Sequence, residues 1–460
     1  MSAVRSRSLG SFGLDALALA VVFAIAWAGV RGAPALHGDA ALIGALGFLL
    51  LAGSLTSKVI EVLGVPHLTG YLLAGVVAGP HVLHLVDHDA VTRLQPVNTL
   101  ALALIALAGG AEIELGAIRR SLRSLAVAMI VQCGSVLAVV ALVFVVAAPT
   151  LIPFTYSLRF SGVVGVALLW GVIAVSRSPA ATLAVVSQTR AKGPLTSFSL
   201  AFVMTSDVVV VVLLAAMMAI AKPLVDPAAN LSLAAFHVLG HEILGSVAIG
   251  TTLGVVLALY LKLVGRQLIV VLVALGFGAT ETLHYLNYEP LLTFLVAGFV
   301  VRNLSQQGEK FLHATEQMGG VVYVVFFANA GAHLDLPLLK ELWPVALLLA
   351  GSRAFTTIVA AKVSSRIAGD APTIKSWSWA PLVSQAGLTL GLSAVIAREF
   401  PSFGAGFRAL AIATVALNEI VGPIVFKLAL DRAKETSGPG PELRVVTHAP
   451  PQALREDEAA

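Results

Sequence analysis

Apolar runs of about 20 residues recur along this chain from Gly13 to Leu430. Each is long enough to cross a bilayer as a helix. With 58% hydrophobic and only 12% charged residues, the composition lies outside the soluble range of about 45–50% apolar and about 25% charged. The expected fold class is an all-α polytopic membrane protein. Fourteen segments are expected: 12–31, 40–62, 67–86, 97–114, 121–148, 160–189, 195–220, 236–263, 267–286, 288–303, 317–336, 341–365, 376–398 and 405–430.

Charge tests that count. Fourteen spans put both termini on one side, and the cytoplasmic loops should be rich in Lys and Arg. With the N-terminus inside, twenty of the 29 Lys and Arg fall on its face, among them Arg119, Arg120, Arg190, Lys192, Lys310 and Arg432. Seven fall opposite, and Arg177 and Arg353 lie within spans. Both termini are therefore expected in the cytoplasm, in a cell (inner) membrane. The basic pI of about 9.2 then reflects a surface meeting anionic lipid, not nucleic acid. The first helix follows Arg5 and Arg7 and reads as retained, because no clear small-residue cleavage pattern follows it. Residues 1–39 form an extra helix and loop, 40–431 a transmembrane domain, and 432–460, rich in Pro and Gly, a disordered tail.

Asp207 is the midpoint of 195–220, Arg353 that of 341–365, and Glu419 lies within two residues of the midpoint of 405–430. Intramembrane ionisable residues are costly and mark function by default. Ion pairs between helices are the structural alternative for Arg177, Arg353 and Glu419, and Glu419 is read as a structural acid. Two further segments are interrupted at the same depth. GVIAVSRSPAATLAVV holds Ser176, Arg177, Ser178 and Pro179, and PLVSQAGLTLGLSAV holds Ser384, Gln385 and Gly387. Proline removes a helix hydrogen bond and clashes with the preceding turn. Broken backbone at membrane depth is tolerated only against protein or a wet cavity. Paired interruptions in two halves point to a transporter site built from inverted repeats. The breaks lie seven segments apart, and each is followed by a helix with a central acid, Asp207 or Glu419. The repeats are therefore expected at about 40–220 and 267–430, with 236–263 as a linker helix.

Other chemistry is missing from the sequence. Cys133 is the only cysteine, so neither an intrachain disulfide nor a thiolate metal cluster forms. His241-Glu242 lacks a second zincin histidine, and GFGATE at 276–281 sits in an apolar run without a preceding strand. No enzyme, no cofactor and no permanently bound metal are expected.

The text VPHLTGYLLAGVVAGP at 65–80, SPAATLAVV at 178–186, TSDVVVVVLL at 205–214, FFANAGAHLDL at 326–336, SQAGLTLGLS at 384–393 and LNEIVGPIVFKLALDRA at 417–433 resembles the monovalent cation:proton antiporters, in the branch of Kef-like and sodium/proton exchangers. The resemblance covers about 40–431. It implies two inverted six-helix repeats, two crossing broken helices, and a homodimer. It also implies that Asp207 binds Na+ or K+ and H+ alternately, with Arg353 as the basic residue facing it. Electrogenic members carry two adjacent aspartates and a lysine; here Ser206 precedes Asp207 and the basic residue is arginine, charged at any working pH. Both departures favour one-for-one, electroneutral exchange by alternating access. Ser206, Thr205 and Ser178 are expected oxygen ligands, Arg177 a further charge partner, and the carbonyls of the breaks additional donors. A passive cation channel and a sodium-coupled organic-anion symporter are the alternatives.

Overall fold

The computed structural model describes residues 9–32, 39–62, 65–113, 115–226, 234–265, 267–286, 288, 290–334, 336–385 and 387–436. Among them no strand forms, and the helices in chain order are α1 Leu9–Gly32, α2 Asp39–Glu61, α3 His67–Ala78, α4 His88–Arg93, α5 Gln95–Glu112, α6 Leu115–Leu151, α7 Phe160–Val175, α8 Pro179–Thr189, α9 Pro194–Val225, α10 Ala234–Leu263, α11 Leu268–Tyr285, α12 Pro290–Leu304, α13 Gly308–Ala332, α14 Leu336–Ala368, α15 Pro372–Trp377, α16 Gly387–Glu399 and α17 Gly404–Ala433. Among the described residues, seven candidate spans are long and apolar enough by themselves to cross a membrane; they take in α2, α6, α7 with α8, α9, α10, α14 and α17. Shorter apolar stretches lie in α1, α3, α11, α12 and α13.

Two differences from expectation have local causes. The segment expected at 376–398 begins as the short α15 and a 3-10 turn at Ala380–Leu382, where Pro381 removes a helical donor. The polar tail expected from 432 begins later: α17 runs to Ala433, and Lys434 closes it in the left-handed conformation. Arg5, Arg7 and residues 437–460 lie outside the described residues.

The core around α6, α7, α14 and α17 centres on Trp170, whose ring lies 5.6 Å from that of Phe144 and 5.2 Å from that of Phe407. Elsewhere lipid supplies no hydrophobic drive between helices, so close association depends on small residues. Two crossings use glycines reciprocally. In the α3–α13 crossing, a Cβ on Gly75 would strike the Ala328 carbonyl and one on Gly331 the Leu72 carbonyl. In the α5–α12 crossing, Gly110 meets the Leu295 carbonyl and Gly298 the Leu107 carbonyl in the same manner.

Gly134 and Gly278 face open space. Gly298→Val should therefore lower stability by about 1–3 kcal/mol, the usual cost of overpacking, while Gly278→Ala should not. Thermal melts of both purified variants in one detergent check this.

Candidate functional site

The SRSP sequence stops α7 at Val175, since Pro179 disfavours a helical residue before it and starts α8 in the first-turn position it tolerates. Ser176 and Ser178 are extended, and the Ser178 hydroxyl caps α8 by accepting from the Ala181 amide at 3.1 Å. The second break runs from the end of the 3-10 turn through Ser384 and Gln385 to Gly387, where α16 begins. The breaks touch: the Ser178 amide donates to the Ser384 carbonyl at 3.1 Å, and the Ser176 and Thr389 hydroxyls are hydrogen-bonded.

Arg353 of α14 binds both breaks. It is 1% exposed, and its Nε donates to the Ala174 carbonyl at 2.7 Å, Nη1 to Val383 at 2.7 Å, and Nη2 to Ser176 and Leu382, both at 2.9 Å. These carbonyls belong to helix C-terminal ends, which carry partial negative charge. A guanidinium with a planar fork of donors suits them. The resemblance implies that Arg353 faces Asp207; in the structure four of its five N–H donors go to backbone carbonyls of the two breaks.

The carbonyls expected as cation ligands are also engaged. Ile173 accepts from Gln385 Nε2 at 2.8 Å, and Gln385 Oε1 in turn accepts from Asn418 Nδ2 at 2.7 Å. Ala174, Ser176, Leu382, Val383 and Ser384 also accept protein donors, so each of these carbonyls already has one partner.

Arg177 points the other way. Fully buried, its guanidinium sits over the Phe202 ring at 5.7 Å, a cation–π contact. The Cys133 thiol and Asp207 are close enough to act on its charge, and its three nitrogens meet no acceptor at bonding geometry among the described residues. Asp207, 7% exposed, thus lies within electrostatic reach of Arg177.

The hydroxyls differ. Ser206 is buried and donates to the Val203 carbonyl at 2.7 Å. Thr205 donates to Ala201 at 2.7 Å and lies on the exposed side of α9. Positions 205 and 207 are about 200° apart around a helix, so Thr205 does not face the same site as Asp207. Ser178 spends its hydroxyl oxygen on the cap already described.

Glu419 is 6% exposed, with its Oε1 lacking a hydrogen-bond partner, and no basic side chain forms an ion pair with it among the described residues. The ion-pair role expected of this acid is not seen. Its neighbour Asn418 instead joins α17 to the second break. Sequence reading missed Asn418, Thr389 and Cys133, although Asn418 stands next to Glu419 as Ser206 stands next to Asp207.

Arg353→Lys keeps the charge but loses the fork, leaving buried carbonyls unpaired at about 1–3 kcal/mol each. It should lower the melting temperature far more than Lys222→Gln. Lys222 pairs with Glu399 where the side chains are 34% and 39% exposed, a setting worth about 0–1 kcal/mol. Thermal unfolding of both variants in detergent separates them.

The fold is similar to two structures of the sodium proton antiporter MjNhaP1 from Methanocaldococcus jannaschii. The first, at pH 8, has a TM-score of 0.60 and 16% identity, covering 85% of this chain and 96% of the other. The second, from an electron-microscopy map, has a TM-score of 0.66 and 15% identity, covering 87% and 100%. No curated protein matches the chain. Residues 46–431 match the family described as sodium/hydrogen exchanger, transmembrane. Since that match takes in most of the chain, the protein belongs to the sodium/hydrogen exchanger family and is a multi-pass membrane transporter rather than an enzyme.

Proposed function

We propose that this protein exchanges a monovalent cation, Na+ or K+, for H+ by alternating access, with Asp207 as the site the two ions share. The observation that carries this reading is a carboxylate buried at 7% exposure within electrostatic reach of a fully buried guanidinium, Arg177, which belongs to one of two touching helix breaks. A proton and a metal ion both bind at the carboxylate oxygens, and a single buried carboxylate offers them one site. The two therefore exclude each other. Arg177 adds a fixed positive charge, which weakens cation binding enough to allow release.

Ser206 occupies the position before Asp207, and its hydroxyl is turned into its own helix. Only one carboxylate is then available on this face of α9, which supports one proton per monovalent cation and electroneutral exchange. Two inverted repeats of six crossings, with a total of fourteen, fit the reciprocal glycines. YLLAGVV at 71–77 on α3 parallels FLVAGFV at 294–300 on α12, and GAEIEL at 110–115 parallels GAHLDL at 331–336. Under that pairing the α3–α13 and α5–α12 crossings are related by the repeat operation. Both termini cytoplasmic, an inner-membrane location and a homodimer complete the reading.

Asp207→Asn should abolish cation-driven proton movement in proteoliposomes while leaving the melting temperature near wild type; full exchange in that variant would sink the assignment. In the wild type, the rate on a sodium or potassium jump should not change when a membrane potential is imposed. A rate that follows the potential would make the exchange electrogenic.

A further inference from the structure

Helix α9, which carries Asp207, begins without a local cap: Gly193 precedes it and offers no side chain to its first amides. Those amides are buried, and a buried unpaired donor is costly. The missing acceptor comes from the far end of the chain. One carboxylate oxygen of Glu435 accepts from the Leu195 amide at 2.8 Å, and the other from the Thr196 amide at 2.8 Å and the Thr196 hydroxyl at 2.7 Å. The Glu435 carbonyl accepts from the Lys192 amide at 2.9 Å. Although it is an acid at the end of a polar segment, Glu435 is only 6% exposed.

The surroundings are built for this contact. Lys434 takes a positive φ of 60°, and the Lys434 and Glu435 amides return to the Asp431 and Leu430 carbonyls, turning the chain off α17 toward α9. A Cβ on Gly193 would overlap the Glu435 carboxyl, so glycine there leaves the room the acid occupies. The negative charge also suits the positive end of α9.

We infer that Glu435 is a positioning residue for ion binding: it locks the cytoplasmic end of α9 to the end of α17, and so fixes where Asp207 stands relative to the breaks. The contacts close a ring. From Glu435 the path runs up α17 to Asn418, through Gln385 to the second break, from the Ser384 carbonyl to the Ser178 amide, and along α8 back to the start of α9. Asp207 is about 18 Å along α9 from the clasp, so Glu435 acts on it only through the helix. Once the clasp opens, α9 is free to slide against α8, and the distance between Asp207 and Arg177 is no longer fixed.

The inference rests on Asp207 being the ion site, and two variants separate it from a simple capping role. Glu435→Ala removes cap and tether together. The double variant Gly193→Ser with Glu435→Ala returns a local N-cap without the tether, since Gly193 is extended and the removed carboxylate leaves space for the serine. The double variant should regain the wild-type melting temperature, yet both variants should bind sodium about five-fold more weakly, the factor that one lost hydrogen bond carries, because neither keeps the tether. Calorimetric sodium binding gives that ratio without transport, and the apparent KM for sodium in proteoliposomes should shift alike, with less change in maximal rate. A dissociation constant within two-fold of wild type in whichever variant folds, or affinity restored together with stability, overturns the positioning role. The antiport reading fails separately, if the wild type moves no protons on a sodium or potassium jump.

Discussion

Two interrupted helices crossing in a membrane bring together backbone ends that neither helix can satisfy. Their C-terminal carbonyls would repel one another and find no water in hydrocarbon. Arg353 resolves both problems with one side chain, giving its donors to Ala174 and Ser176 on one break and to Leu382 and Val383 on the other. The remaining features of the site depend on that joint. It holds the breaks in contact, frees α8 to begin at Pro179 with its own serine cap, and leaves Arg177 as the guanidinium turned toward Asp207.

The two arginines thus divide two tasks that one basic residue could not perform together. A guanidinium whose hydrogens are committed to carbonyls is a structural cation, and its charge is largely spent on helix ends. One held over an aromatic ring, beside a thiol, keeps its charge for a neighbour. Asp207 is opposed by the second kind, a fixed positive charge close enough to act on its carboxylate.

Much of this was legible in the sequence because depth in a membrane is a one-dimensional property. Counting along apolar runs places Asp207, Arg353 and Glu419 near their centres, and Pro179 marks a break by its missing donor. Which arginine faces which acid was not legible. Residues at one depth still differ in the direction they point, and that direction is set by packing among distant helices. Position along the chain therefore leaves open which groups Arg353, Thr205 and Glu419 touch. The Glu435 clasp was hidden for a related reason, since its two parts are about 240 residues apart and the glycine that admits it leaves no local mark.

The paired glycine crossings bear on how the protein is made. Gly75 on α3 and Gly110 on α5 reach their close partners only on α13 and α12, which are synthesised some 200 residues later. Neither half can by itself fill the notches at Gly75, Gly110, Gly298 and Gly331. During insertion, α3 and α5 must wait in lipid with exposed notches until the second half arrives. Assembly is therefore a late event for the whole chain, and a ribosome that stops before α13 leaves a fragment with its main seam open.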